Sequence, residues 1–306
     1  MPRPRREAVC SAAAWKPSEM SSPLSNLALL LFVPADRPDR WAKAFASGAD
    51  AVILDLEDAV APAAKASARA ALQTGRAAIA AAGVPVLLRV NARATADHTL
   101  DLEATRGLGL VGVMLAKAEA AADVRAVGAA SRLPVVALVE SARGLADARA
   151  LAEVAARLAF GSIDFAADLG CAHTRSALAA ARSELALASR LAGRPAPIDG
   201  VTMSTKDLAL VRADAQYACE LGFAGKLLIH PAQVEPAAAG FRPNEAEVAW
   251  ARRALAMGAG GAAAVDGVMV DAPVRLRAEQ TLQRAARFAG PMAGHQSPDG
   301  LAVSRS

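Results

Sequence analysis

From Leu27 onward a short apolar run, rich in β-branched residues, recurs eight times, and an alanine-rich helical stretch follows nearly every one. The runs are Leu27–Val33, Ala51–Leu54, Pro85–Val90, Gly112–Leu115, Val135–Val139, Leu158–Phe160, Pro197–Val201 and Lys226–Ile229. Strands that are apolar on both faces, with helices between them, require a parallel sheet covered on both sides. Eight such units predict a (β/α)8 TIM barrel rather than an open doubly wound sheet. A dinucleotide-binding sheet would carry G-x-G-x-x-G after its first strand. This chain carries Pro34-Ala35-Asp36-Arg37-Pro38-Asp39-Arg40 there, which rejects that alternative.

The barrel is predicted over residues 26–240 of the 306-residue chain. Residues 1–25, with several Pro, Arg and Ser, read as a disordered tail. After Phe241-Arg242-Pro243 the pattern changes to an amphipathic helix over Glu245–Met257, a hairpin around Asp266-Gly267 and a last helix over Val274–Ala289. This predicts a small helix–hairpin–helix lid module over 241–290, then a second disordered tail over 291–306.

Composition excludes several classes. Hydrophobic residues reach 54%, but no run approaches the ~18 apolar residues of a membrane helix. The net charge of +4 owes much to Arg3, Arg5, Arg6 and Lys16, and aromatic residues are only 4%. That is a poor nucleic-acid face, which needs clustered cations beside aromatics. The isolated cysteines Cys10, Cys171 and Cys219 form no framework and suit a reducing cytoplasm. The four histidines lack zinc-like spacing.

Polar residues gather where the apolar runs stop: Asp36 and Arg37, then Asp55, Glu57 and Asp58, then Arg89, Lys117 with Glu119, Glu140, Asp164, Asp199 and His230. The C-terminal strand ends are where barrels of this type place their chemistry. Glu140 and Asp164 sit one strand–helix repeat apart, so both are expected at neighbouring strand ends. Hard carboxylate oxygens suit Mg²⁺, which takes one or two protein carboxylates and keeps its other positions for water and ligand. The plainer alternative is that the two acids cap the helices that follow. Arg89, at the end of an apolar strand, is placed to grip a carboxylate, or to pair with Asp55, Glu57 or Asp58 on the rim. Those three acids are candidates to sit behind a bound ion and hold its waters. The Gly161 and Ser162 amides are candidates for holding a substrate carboxylate, and Arg37 and Lys226 for meeting phosphates.

The segments Leu31–Pro62, Leu87–Ala92, Val135–Leu145, Phe160–Gly170, Leu221–Val234 and Val265–Val274 resemble, in order, those of the citrate lyase β-subunit-like (HpcH/HpaI aldolase/citrate lyase) family of CoA-ester lyases. The resemblance implies a Mg²⁺-dependent oxo-acid lyase. Such an enzyme splits, or forms, the C–C bond of a malyl-, citramalyl- or citryl-CoA type 3-hydroxyacyl-CoA, giving a 2-oxo acid and an acyl-CoA. It further implies Glu140 and Asp164 as metal ligands and Arg89 as the substrate-carboxylate arginine. It gives Asp271 as a proton-handling acid that a neighbouring subunit delivers, hence a homo-oligomer, a trimer or hexamer. Two alternatives stay open: a class II aldolase acting on a CoA-free hydroxy-oxo acid, and a β subunit working only inside a multi-subunit citrate lyase. The chain departs from the family pattern at Gly161-Ser162-Ile163-Asp164, where many members have Gly-Ala-Glu-Asp, and at Ala28-Leu29, where Arg-Ser is common.

Overall fold

The computed structural model describes residues 23–256, 263–265 and 268–289. Eight parallel strands close a barrel in sequence order. They are β1 (Leu29–Pro34), β2 (Ala51–Asp55), β3 (Val86–Val90), β4 (Gly112–Leu115), β5 (Val135–Val139), β6 (Arg157–Phe160), β7 (Ile198–Asp199) and β8 (Gly225–Leu228). Around them run α1 (Pro38–Phe45), α2 (Lys65–Thr74), α3 (Arg76–Ala80), α4 (His98–Ala104), α5 (Ala121–Ser131), α6 (Ala142–Ala146), α7 (Ala148–Val154), α8 (Ser162–Leu169), α9 (Ala179–Leu191), α10 (Leu208–Glu220) and α11 (Val234–Phe241). The predicted barrel is therefore present, with each strand within a few residues of its expected limits.

Two of the alanine-rich stretches are divided. The one after β2 breaks at Gly75, between α2 and α3, where a side chain would collide with Trp41 at 2.3 Å. The one after β5 breaks at Asp147, between α6 and α7. Short helices that follow the curvature of the barrel pack as well as one long one, and periodicity alone does not report the break.

Alternation along the strands sorts side chains into two layers. Leu30, Ile53, Leu87, Met114, Val136, Leu138, Ala159, Ile198 and Leu227 fill the barrel interior. Their neighbours Leu31, Val52, Leu54, Leu88, Val113, Leu115, Ala137, Leu158, Phe160 and Leu228 pack against the helices. This parity decides where the polar strand-end residues go. Asp55, Arg89 and Glu140 continue the interior set and crown the barrel mouth. Asp199 and Lys226 belong to the outer set.

The opposite end is plugged. Arg157 is buried; its Nε donates to Ala196 O at 2.7 Å, and its Nη1 donates to the carbonyls of Leu24 (3.2 Å) and Leu27. Leu24, which composition assigns to the N-terminal tail, is buried in the interior layer.

Beyond the barrel lie α12 (Glu245–Ala256), the antiparallel pair β9 (Ala263–Val265) and β10 (Val268–Val270), and α13 (Ala272–Arg287). The hairpin expected around Asp266-Gly267 is thus seen in its strands, while that dipeptide lies outside the described residues. The C-terminal end of α13 is fastened to the lower rim. Phe288 stacks on Phe241 with centroids 5.5 Å apart, Arg242 Nε donates to Phe288 O at 2.6 Å, and Arg287 donates to Asn26 O.

Candidate active site

At the mouth, Arg89 and Asp55 occupy paired register positions on β3 and β2. Arg89 Nε donates to Asp55 Oδ1 at 2.7 Å and Nη2 to Asp55 Oδ2 at 2.5 Å, while Nη1 lies 2.9 Å from Glu57 Oε2. The ring of Phe32 lies 4.7 Å from the guanidinium carbon. Asp55 also accepts from the Glu57 and Ala59 amides at 2.8 and 3.2 Å. The rim pairing offered by the sequence is therefore realised. It engages three of the five N–H donors of Arg89 and leaves two for a ligand.

Glu57 is buried and Asp58 is exposed. Lys117, just past β4, joins them: its Nζ lies 2.5 Å from Glu57 Oε1 and 3.5 Å from Asp58 Oδ2. Burial raises the Glu57 pKa, opposed by Arg89 and Lys117. Lys117 was noted in the sequence only as a strand-end cation. Its distinguishing feature, a backbone φ of +48°, is invisible there.

Glu140 is 2% exposed. Its Oε1 accepts from the Lys117 amide at 2.6 Å, and its Oε2 is buried without a hydrogen-bond partner. Burial pushes its pKa up to about 8, with Arg89 opposing. A buried carboxylate oxygen without a partner is costly, and such an atom calls for a cation or a proton. Gly161 makes room for it, since a Cβ there would fall 2.4 Å from Glu140 Oε2.

Asp164 lies in the first turn of α8, partly buried, and its side chain has no hydrogen bond or ion pair with the described residues. Glu140 likewise caps nothing; Ser141 caps α6, its Oγ accepting from Gly144 N at 3.1 Å. Neither acid is therefore the helix cap that was the plainer alternative. Among the described residues, no three His, Cys, Asp or Glu side chains converge as a ready-made cage. The orphaned Glu140 oxygen is the kind of donor that suits a hard divalent cation, which takes few protein carboxylates and keeps several positions for water and ligand.

Three expectations change in detail. The Gly161 N–H is used in the barrel ladder, donating to Val139 O at 2.9 Å, so the amides open to an anion begin at Ser162, in the first turn of α8. The Ser162 hydroxyl faces His173, Oγ to Nε2 3.0 Å. Lys226 is 1% exposed in the outer layer, where its Nζ donates to Gly200 O at 2.6 Å and lies 3.4 Å from Asp199, so it is not displayed to phosphates. Asp199 pairs with Arg182 at 2.8 Å in that same layer and is not a mouth residue. Strand parity is the physical reason for both. Arg37 remains exposed at the mouth and holds Asp39 at 2.8 Å.

Asp271 is the N-cap of α13, accepting from Val274 N at 3.1 Å, and it is exposed. The sixteen residues of α13 place it about 24 Å from the end docked on its own lower rim.

A closed (β/α)8 barrel with buried acids and an arginine at its mouth defines the class as a barrel enzyme. The comparisons specify which. The HpcH/HpaI aldolase/citrate lyase family model matches residues 28–231, and the chain belongs to that family, one of CoA-ester lyases. It is 42% identical over 271 residues to the citrate lyase subunit beta-like protein of Mycobacterium tuberculosis, covering 83% of this chain and 94% of that one. It is 36% identical over 274 residues to a (3S)-malyl-CoA thioesterase of Cereibacter sphaeroides, covering 85% and 95%. The solved structure of CitE from M. tuberculosis, in complex with magnesium, acetoacetate and coenzyme A, superposes with a TM-score of 0.76 at 38% identity, covering 86% of this chain and all of that one. The M. tuberculosis citrate lyase beta subunit complexed with oxaloacetate and magnesium gives 0.62 at 37% identity, covering 71% and 98%.

Proposed function

We propose that the protein is a Mg²⁺-dependent lyase that cleaves a 3-hydroxyacyl-CoA of the malyl-, citramalyl- or citryl-CoA type into a 2-oxo acid and an acyl-CoA. The observation that carries this reading is the unpartnered, buried Oε2 of Glu140 at the end of β5, with the unpaired Asp164 following the adjacent strand β6 and Arg89 on the same mouth. Related solved structures in complex with magnesium and small oxo acids support it.

Glu140 and Asp164 would hold the ion. Once bound it supplies Lewis-acid stabilisation to oxygen that gains negative charge. The chain's own residues do the rest. Arg89, held in place by Asp55 and Glu57, offers its two remaining N–H donors to the substrate carboxylate. The Ser162 amide and the α8 N-terminus add donors to the same anion. Loss of the hydroxyl proton to water turns the carbinol carbon into the carbonyl carbon of the 2-oxo acid. The C–C bond breaks, and its electron pair passes into the thioester enolate. A proton from Asp271 of a neighbouring copy then yields the acyl-CoA. Arg37 is the exposed cation left for the CoA phosphates. A homo-oligomer goes with that role for Asp271, which is exposed and is hydrogen-bonded to Val274 of its own helix.

Glu140→Ala tests the reading. Thioester-dependent release of a 2-oxo acid, assayed with Mg²⁺ over a panel of 3-hydroxyacyl-CoA esters, is expected to fall by a hundredfold or more while the far-UV spectrum is kept. Undiminished activity in that variant, or in excess chelator, overturns it.

A second reading, hydrolysis of the CoA thioester, is favoured by the Ser162–His173 hydrogen bond at the mouth and by the relatives named malyl-CoA thioesterase. It is separated by product: hydrolysis releases free CoA thiol and the hydroxy acid with no 2-oxo acid.

A further inference from the structure

Two non-glycine residues among those described have a positive φ. Arg132, at +59°, is the C-cap of α5, an ordinary place for a left-handed residue. Lys117, at +48°, caps nothing. It lies between β4 and α5, on the mouth, where Gly or Asn would carry that conformation more cheaply. A lysine held there is an outlier that the surroundings must enforce.

Both ends of the residue explain it. The left-handed turn points the backbone N–H into the mouth, where it donates to Glu140 Oε1 at 2.6 Å. The side chain runs the other way along the rim to Glu57 at 2.5 Å and Asp58 at 3.5 Å. Glu57 in turn holds Arg89. One residue thus ties the β5 carboxylate to the β2 loop across the end of β3. With Oε1 fixed by the amide, and the Glu140 Cβ and Oε2 both close against Gly161, the carboxylate is held in one orientation, with Oε2 buried and unpartnered.

We propose that Lys117 is a positioning residue, whose left-handed backbone aims Glu140 Oε2 at the cation and whose ammonium locks that backbone through Glu57. This rests on the reading of Glu140 as a metal ligand. It predicts that metal affinity depends on the backbone preference at position 117 and not only on its charge.

The test uses Mn²⁺ as the probe, titrated by electron paramagnetic resonance against the full-length protein without substrate, with melting temperatures recorded in parallel. Lys117→Gly, Lys117→Asn and Lys117→Val all lose the ammonium. Gly and Asn tolerate the left-handed region, and the β-branched Val does not. The expected result is that Val weakens Mn²⁺ binding roughly five- to thirtyfold relative to Gly, with Asn close to Gly. Folded variants that bind Mn²⁺ equally, or that all lose binding to the same extent, overturn the proposal. If Val does not fold, Asn against Gly and Lys117→Leu keeps the comparison. Failure of the wild type to bind Mn²⁺ with one-to-one stoichiometry would instead sink the metal reading itself.

Discussion

Arg89 and Asp55 face each other across one step of the barrel ladder, with Nε–Oδ1 at 2.7 Å and Nη2–Oδ2 at 2.5 Å. Two adjacent parallel strands therefore end in a fork-to-fork ion pair that is almost wholly buried. The pair fixes the plane of the guanidinium, and with Glu57 it uses three of the five N–H donors.

Removal of one partner should be severe. Arg89→Ala leaves Asp55 buried and uncompensated, and Glu57 with Lys117 alone, a change that costs about 3–5 kcal/mol. Arg89→Lys keeps the charge but not the fork. We expect Arg89→Lys to melt only a few degrees lower and yet to lose lyase activity, chiefly through a raised KM for the carboxylate-bearing substrate. Chemical denaturation and steady-state kinetics together check this. Equal KM values for Lys and Arg would argue against carboxylate binding.

Gly161 is a steric requirement of the same site. A methyl group there would meet Glu140 Oε2 at 2.4 Å and Glu140 Cβ at 2.5 Å, too close for the carboxylate to give way within a packed mouth. Gly161→Ala is expected to cost about 1–3 kcal/mol by overpacking and to abolish Mn²⁺ binding. Isothermal titration calorimetry on the folded variant reads the second effect, and unaltered binding would show that Glu140 is not confined as described.

The pH dependence has a definite sign. Burial pushes Glu140 up to about 8, so below that pH the metal-free carboxyl carries a proton. A cation must displace it. Mn²⁺ affinity should rise about tenfold per pH unit up to about pH 8 and level off above, with one proton released per ion. The stability of the metal-free protein runs the other way. The folded pKa lies above the ordinary 4.5, so the contribution of Glu140 is present below pH 4.5 and is lost as pH rises through about 8. Glu140→Gln should flatten both profiles, and a pH-independent affinity in the wild type would contradict the assignment.

Asp271 carries a cap as well as its proposed proton role, and the two can be separated. Asp271→Ala removes the bond to Val274 N and should cost about 1 kcal/mol. Asp271→Asn keeps a capping oxygen. It is expected to preserve the melting temperature while lowering turnover by a hundredfold or more, because an amide cannot deliver a proton. Mixing Asp271→Asn with Glu140→Ala subunits should restore part of the activity if the acid crosses between copies. Full activity in Asp271→Asn would leave the residue as a cap alone.

The recurrence of eight apolar runs was enough to determine the barrel, because a strand buried on both faces has few ways to be satisfied. The clustering of acids and cations at the ends of those runs likewise marked the mouth, and Asp55, Glu57, Arg89 and Glu140 are found there. The sequence by itself could not say which strand-end residues turn inward. Lys226 and Asp199 look as promising as Arg89 and Glu140, yet parity sends the first two to the helix layer, where they bond with each other and with Gly200 and Arg182. Nor could it show that the Gly161 amide is spent on Val139, that Lys117 turns left-handed, or that Glu140 is left with one bare oxygen. Those facts depend on the register and closure of the barrel, which brings side chains from distant segments within bonding distance. Residue type and spacing determined the list of available groups, and only the tertiary structure decided which are satisfied by one another and which remain open to a ligand.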